Sequence, residues 1–244
     1  MSGHSKWASI KHKKGATDAK RGKIFTKMAS EITLAAREGA DPVMNFKLRL
    51  AIQKAKANNV PAVNIERAIA KGSGTGEGAA LEELTYEGYG PAGVAIMARA
   101  LTDNRNRTGP DVKSTFTKHG GNLGATGSVD YLFEQKGVII CKPNIDKDSA
   151  ELAAIDAGAD DIDDSGENIV VYTKPSELEQ IKEALADMVE SASVEMIASQ
   201  TIVVDDEKKA QTLMRLIDAL DDLDDVVSVT SNYDIPLDIL EKLE

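Results

Sequence analysis

The chain has 244 residues, of which 42% are hydrophobic and 28% charged, proportions that are ordinary for a globular protein. No apolar run approaches the roughly 20 residues that a membrane-spanning helix requires, and the N-terminus lacks the apolar core of a secretion signal. We therefore expect no membrane partner and a cytoplasmic location, or an organelle interior if a presequence has been removed. The single cysteine, Cys141, excludes an intramolecular disulfide and a cysteine-rich zinc site.

Charge is divided unevenly along the chain. Residues 1–71 contain 15 Lys or Arg and 5 Asp or Glu, a formal charge of +10, which leaves 14 basic and 35 acidic residues, a charge of −21, in the rest. A cationic end on an acidic chain is typical of a protein that meets a polyanion at one place. This division predicts that the N-terminal region binds nucleic acid.

The first 15 residues are rich in Lys, His, Gly and Ser and show no regular apolar spacing, which predicts an arm without stable secondary structure. The cations continue into the next stretch, where Lys20, Lys23 and Lys27 would share one side of a helix. A cluster of this size can bind nucleic acid near physiological salt, because each phosphate contact releases condensed counterions. The predicted contacts are Lys6, Lys11, Lys13, Lys14, Lys20, Arg21, Lys23 and Lys27.

Two rings lie within the lysine run of the arm. Trp7 and His12 can stack on exposed bases, and we include both among the predicted contacts. Alternatively, Trp7 is a hydrophobic anchor that packs onto the neighbouring domain. Neither the histidines nor the carboxylates show the spacing of metal ligands, so we expect no metal site.

Residues 17–71 are predicted to form three helices. Thr17 or Asp18 caps the first helix, whose apolar residues recur at intervals of three and four. Asp41 caps the second, with a proline at its first position, and Pro61 opens the third, which Gly72 ends. The Gly-rich residues 72–81 follow a helix rather than a strand and lack the Lys-Ser/Thr ending of a phosphate-binding loop, so they are predicted to be a linker.

After the linker the pattern changes to short strands, among them 129–133 and 138–141, which a polar stretch separates. From residue 137 onwards the order is strand, helix, strand, strand, helix, strand, which is the split β-α-β-β-α-β unit of the ferredoxin-like fold. This unit is complete by about residue 200. The strands before it and the helix and strand after it each lack partners. We therefore predict that residues 135–200 are a domain inserted into another, which is formed by 82–134 and 201–244.

An Asn-Arg-Asn-Arg sequence precedes a helix that we predict to be capped by Thr108. Positive charge opposes the helix dipole at that position, which makes Arg105 and Arg107 unusual there. With the helix N-terminus they can hold a phosphate, and Asn104 and Asn106 can add donors to bases or sugars. The alternative is that the two arginines pair with nearby carboxylates. The candidates for that pairing are Asp103, Asp130 and Glu134.

Two acidic runs could suggest metal binding. Residues 161–166 resemble the start of a calcium loop, but the twelfth position is Tyr172 instead of glutamate, so we expect a turn between strands. Residues 221–225 read Asp-Asp-Leu-Asp-Asp and connect a predicted helix to a strand. We expect no basic group opposite this run, and its carboxylates should keep nucleic acid away from the acidic part of the chain.

Catalytic motifs are missing from the sequence. It contains no Gly-x-Ser-x-Gly, Walker lysine, His-Glu-x-x-His or Rossmann fingerprint. A nuclease would gather carboxylates near the basic surface, whereas the few acids of residues 1–71 fall mostly on predicted helix ends or surfaces. We expect no catalytic residues and no cofactor.

Five motifs resemble those of the YebC family, and the resemblance runs the length of the chain. They are Gly3–Trp7, Asp18–Lys27, Tyr86–Pro91, Leu101–Thr108 and Lys118–Gly124. The family includes bacterial proteins labelled probable transcriptional regulators and mitochondrial translational activators of cytochrome oxidase. The resemblance implies an α+β protein with a three-helix domain (1–71) followed by two ferredoxin-like α/β domains, the third inserted into the second, around a cleft. It also implies a cytoplasmic location and no catalysis. The chain departs from the family pattern mainly at Gly109-Pro110, which replaces ordinary helix starters.

The target can be RNA or DNA. A three-helix domain can place a recognition helix in the major groove of duplex DNA. However, no predicted helix gathers Arg, Asn and Gln on one face, and nothing indicates a symmetric dimer, so we expect a monomer. A flexible lysine-rich arm suits folded RNA, which favours ribosomal RNA or tRNA and a role in translation at the ribosome. A protein scaffold that uses the acidic domains would leave the basic arm unexplained.

Overall fold

A computed structural model describes residues 18–76, 81–166 and 168–243. Their contacts define two compact units: residues 133–201, and the described residues before 133 together with those after 201. The helices are α1 (Asp18–Ala36), α2 (Phe46–Ala57), α3 (Ala62–Gly72), α4 (Arg105–Lys118), α5 (Lys147–Asp156), α6 (Leu178–Leu185), α7 (Glu207–Asp221) and α8 (Leu237–Leu243). The strands are β1 (Glu82–Tyr89), β2 (Ala95–Thr102), β3 (Asn122–Leu123), β4 (Phe133–Cys141), β5 (Asp161–Asp163), β6 (Val170–Thr173), β7 (Val189–Ala198), β8 (Ile202–Val203), β9 (Val226–Ser231) and β10 (Tyr233–Asp234).

The first three helices pack around a shared apolar core that includes Ile32, Leu48 and Ile65. Helices α1 and α3 approach closely at Gly72, where a Cβ atom would lie 2.2 Å from the carbonyl oxygen of Thr33. The sequence suggests only that this glycine ends a helix. Its lack of a side chain is also what lets the two helix backbones meet.

Helix α2 begins at Phe46, four residues later than the predicted start at the proline after Asp41. Asp41 accepts a hydrogen bond from the N–H of Val43 at 2.8 Å and so caps a turn. The helix cap is Asn45, whose side-chain oxygen accepts from the N–H of Leu48 at 3.0 Å. Asn45 also donates to the carbonyl of Ala35 in the last turn of α1 and to that of Gly39 just after it, so it joins two helices where Asp41 serves only a turn.

The unit that contains these helices also holds an antiparallel sheet in the order β3-β1-β2-β9. Helix α4 packs against β1, β2 and β3, α7 packs against β9, and the two helices contact each other. Phe116 of α4 and Leu213 and Leu216 of α7 are fully buried. A short parallel pair, β8 with β10, and helix α8 complete this unit.

Residues 133–201 form a second antiparallel sheet in the order β5-β6-β4-β7. Helix α6 packs against β4 and β7, and α5 packs against α6. The element order is β4-α5-β5-β6-α6-β7, the split unit that the sequence pattern indicates. These helices and antiparallel sheets confirm the predicted α+β class, whereas the division into three domains at the stated residues stays a prediction.

Strand β4 differs from the prediction of two separate strands at 129–133 and 138–141. It is one continuous strand, because its polar stretch pairs with β7 throughout, from Phe133 opposite Ala198 to Cys141 opposite Val189. Residues 130–132, within the first of the two predicted strands, form a 3-10 turn. The polar side chains Glu134 and Gln135 are exposed on a strand that is otherwise mostly buried, which explains why they resemble a loop in the sequence.

Candidate nucleic-acid interface

The predicted contacts fall into three groups by their position. Lys6, Trp7, Lys11, His12, Lys13 and Lys14 lie outside the described residues. Lys20 and Arg21 belong to α1, and Lys23 and Lys27 follow them on the same helix. The remaining predicted contacts, in the Asn-Arg-Asn-Arg sequence, are at the start of α4.

Lys23 and Lys27 are one turn apart on α1, and each forms an ion pair with the end of α7. The Nζ atom of Lys23 lies 2.9 Å from a carboxylate oxygen of Asp222, and that of Lys27 lies 2.5 Å from Asp221. The prediction that residues 221–225 have no basic group opposite them is therefore wrong. Sequence reasoning could not find these pairs, because Lys23 and Asp222 are 199 residues apart.

The other basic side chains of the first three helices, here called the three-helix layer, differ in whether they form ion pairs. Lys47 pairs with Glu38 at 2.7 Å and Lys54 with Glu31 at 3.0 Å. By contrast, three exposed basic side chains of α2 and α3 make no ion pair with any residue that the structure describes; Arg37, just after α1, makes none either but donates to the carbonyl of Leu81. These available cations, which sequence reasoning did not single out, are Lys56, Arg67 and Lys71.

Helix α4 starts at Arg105, three residues before Thr108, the predicted cap. The cap is Asn104, whose side-chain oxygen accepts from the N–H of Arg107 at 3.2 Å. Pro110 is therefore inside the helix, where it removes one backbone hydrogen bond. Because the arginines lie in the first turn, their charge opposes the helix dipole even more directly than predicted.

Arg107 is held by carboxylates. Its guanidinium donates to both oxygens of Asp225 at 2.9 Å and approaches Asp103 at 3.4 Å. Asp225 also accepts from the hydroxyls of Thr108 at 2.6 Å and Thr102 at 3.2 Å. Burial opposes ionisation of Asp225, but the bonds from Thr108 and Arg107 outweigh it and hold the pKa of this carboxyl below its usual value.

The two arginines therefore differ in their surroundings. Arg105 is exposed and makes no ion pair with the described part of the chain. Asn106, next to it, is exposed as well. Of the carboxylates named as possible partners, only Asp103 contacts either arginine, whereas Asp225, the principal partner, is not among them.

Metal-binding and membrane-spanning features are absent from the described ranges. In them no group of three His, Cys, Asp or Glu side chains is arranged to hold a metal. Nor is any of their helices long and apolar enough to cross a bilayer. In the run that resembles a calcium loop, Asp163 accepts hydrogen bonds from the N–H and hydroxyl groups of Ser165.

Comparison with known proteins shows similarity over both parts of the chain. Residues 5–75 match the family model for the TACO1/YebC protein N-terminal domain, and residues 81–233 match the model for the TACO1/YebC second and third domain.

Full-length relatives have about half of their residues in common with this chain. Proteins called "probable transcriptional regulatory protein" from Trichlorobacter lovleyi and Persephonella marina are 50% and 51% identical, and each alignment covers 100% of both chains. The crystal structure of a conserved hypothetical protein from Aquifex aeolicus is 47% identical with a TM-score of 0.84, covering 94% of this chain and 97% of that one. With both parts of the chain matched by its models, the protein belongs to the TACO1/YebC family.

Proposed function

We propose that this chain is a non-catalytic, nucleic-acid-binding regulator of gene expression that acts in translation by binding RNA at the ribosome. The observation that carries the proposal is the division of charge, +10 in residues 1–71 against −21 in the remainder. A polyanion is attracted to the first part and repelled by the second, so the charge distribution itself orients the encounter.

The described residues support a contact surface on the three-helix layer. Lys56, Arg67 and Lys71 are exposed and free of ion pairs with described residues, so their charges are available to phosphates. At α4 we propose Arg105 and Asn106 as additional contacts. Arg107, although predicted from the sequence as a contact, is engaged by Asp225 and is better explained as a structural residue.

A DNA-binding transcriptional regulator is the second candidate, and the names of the bacterial relatives favour it. Helices α1, α2 and α4 each contain four basic residues, and the single arginine of α2 is not free to read bases. Arg49 donates to the carbonyls of Pro42 and Val43, and its guanidinium lies 5.4 Å from the ring centre of Phe46. With Arg49 held in this way, α2 does not present it to base edges, which favours RNA recognised by charge and shape.

Sedimentation of a cell lysate distinguishes the two candidates. The full-length protein is followed by antibody through a sucrose gradient, with one sample treated with DNase and another with RNase. We expect co-migration with ribosomes that survives DNase and is abolished by RNase. Migration only with DNA would establish the transcriptional role instead. We further expect the protein to be cytoplasmic and monomeric, which cell fractionation and light scattering of the purified chain would test.

A further inference from the structure

Two of the lysines that the sequence predicts as contacts, Lys23 and Lys27, each form an ion pair with an aspartate. Residues 221–225, here called the acidic connection, supply both partners. We propose that the acidic connection covers the α1 lysines in the free protein and must release them before nucleic acid binds there. This inference rests on the proposed function and concerns the regulation of the same surface.

The two aspartates present negative charge to the lysines in the way that the phosphates of a nucleic acid would. Two lysines one helical turn apart meet two successive aspartates, and each amine has its own carboxylate. A lysine amine in contact with a carboxylate can bind a phosphate fully only by giving up that partner. The carboxylates, once released, would also repel a phosphate backbone that approaches α1.

Helix stability does not account for these aspartates. Asp221 is the last residue of α7 and Asp222 its C-cap, where the helix dipole disfavours negative charge. The last turn of α7 contains no basic residue. The lysines of α1 are therefore the charges that compensate this end of the helix.

The two pairs differ in how firmly they hold. The side chains of Lys23 and Asp222 are 48% and 69% exposed, so solvent and salt screen this pair strongly. Lys27 and Asp221 are 19% and 37% exposed, so their pair is better protected. The Lys23 pair is thus weak enough for a polyanion to displace, and the cover loosens from this end first.

A matched pair of substitutions tests the cover. Asp222→Asn removes the carboxylate that pairs with Lys23. Asp224→Asn removes the same charge at a position two residues further along the chain, where the side chain is exposed and makes no ion pair with any described residue. Binding of the full-length proteins to a fluorescein-labelled RNA stem-loop is measured by anisotropy over a series of salt concentrations. Asp222→Asn should bind about two- to fivefold more tightly than Asp224→Asn at low salt, the range typical of exposed ion pairs. The advantage should disappear in a Lys23→Met background.

A second measurement needs no nucleic acid. Acetylation of Lys23 by a small reactive ester, followed by mass spectrometry of the free protein, should be faster in Asp222→Asn than in wild type and unchanged in Asp224→Asn. Equal gains in RNA affinity from the two substitutions would show that net charge alone matters, which overturns the cover while leaving the proposed function intact. Unchanged acetylation in Asp222→Asn would overturn it as well. If none of the proteins bound RNA or duplex DNA at low salt, the proposed function would fail, and the cover over a binding surface with it.

Discussion

At the scale of single residues, Glu87 illustrates how a buried charge is stabilised in this fold. It lies in β1 with only 4% of its surface exposed. Its carboxylate accepts hydrogen bonds from the backbone N–H groups of Gly127, Val129 and Asp130 at 2.7, 2.8 and 2.9 Å. Burial alone would raise the pKa of this carboxyl, but the three N–H donors outweigh it and lower the pKa below its usual value.

Glu87→Gln should therefore lower stability by about 1–3 kcal/mol near neutral pH, because an amide NH₂ would face backbone donors. The folded-state pKa is depressed, so the ionised carboxylate contributes stability above the unfolded pKa of about 4.3 and loses it as the pH falls through the folded value. The difference in the free energy of unfolding between wild type and Glu87→Gln, measured by urea unfolding, should become smaller in acid. Glu83→Gln, which removes a half-exposed surface partner of Arg99, is the control and should change little.

At the scale of elements, the contact between α1 and α3 leads us to expect that two glycine-to-alanine substitutions change stability in opposite directions. Gly72→Ala would place a Cβ atom 2.2 Å from the carbonyl oxygen of Thr33 and 2.7 Å from the Cβ of Ala36. Backbone atoms of α1 cannot move aside independently, so we expect a loss of about 1–3 kcal/mol in spite of alanine's helix propensity. Gly22→Ala in α1 meets nothing within 4 Å and should stabilise by up to about 1 kcal/mol. Equal effects of the two changes in urea unfolding would contradict the packing argument.

At the start of α4, single substitutions can separate a structural role of Arg107 from a binding role of Arg105. Arg107→Ala removes the cation that Asp225 shares with two hydroxyl groups, so the variant should melt at a lower temperature and keep its affinity for RNA. Arg105→Ala removes an exposed cation from the first turn of a helix, so it should melt at the same or a slightly higher temperature and bind RNA more weakly. The two melting curves and the two RNA titrations are the measurements. Weaker RNA binding by Arg107→Ala alone would reverse the assignment.

Sequence periodicity predicts elements better than it predicts their ends. The three helices and the β-α-β-β-α-β order follow from apolar spacing. The start of α4 does not, because Thr108 has the local signature of a cap while its hydroxyl contacts an aspartate 117 residues away. Similarly, Asp41 and Asn45 are both good local caps, and only the position of the end of α1 decides for Asn45. The covering of Lys23 and Lys27 is also a long-range property, so the sequence indicates the cations but not their partners.

At the scale of the whole molecule, the acidic and basic parts of the chain do not act independently. The sequence alone suggests a repelling acidic part and a free basic part. The structure shows that some of the acidic side chains neutralise basic ones, since Lys23 and Lys27 meet Asp222 and Asp221. The cations available to a partner are therefore fewer than the formal charge of residues 1–71 suggests, which increases the expected importance of the arm.

We accordingly expect the arm to dominate affinity. Replacing Lys11, Lys13, Lys14 and Lys20 with Ala should flatten the slope of log affinity against log salt by roughly 0.7 to 0.9 for each phosphate that is no longer neutralised. The comparison is the triple change of the exposed cations Lys56, Arg67 and Lys71 to Ala, which should reduce the slope less. Substitutions of exposed lysines usually change stability by no more than about 0.5 kcal/mol, so unaltered melting would show that any weakening of binding is electrostatic. An unchanged slope in the arm variant, with a large reduction in the triple variant, would move the principal binding surface from the arm to α2 and α3.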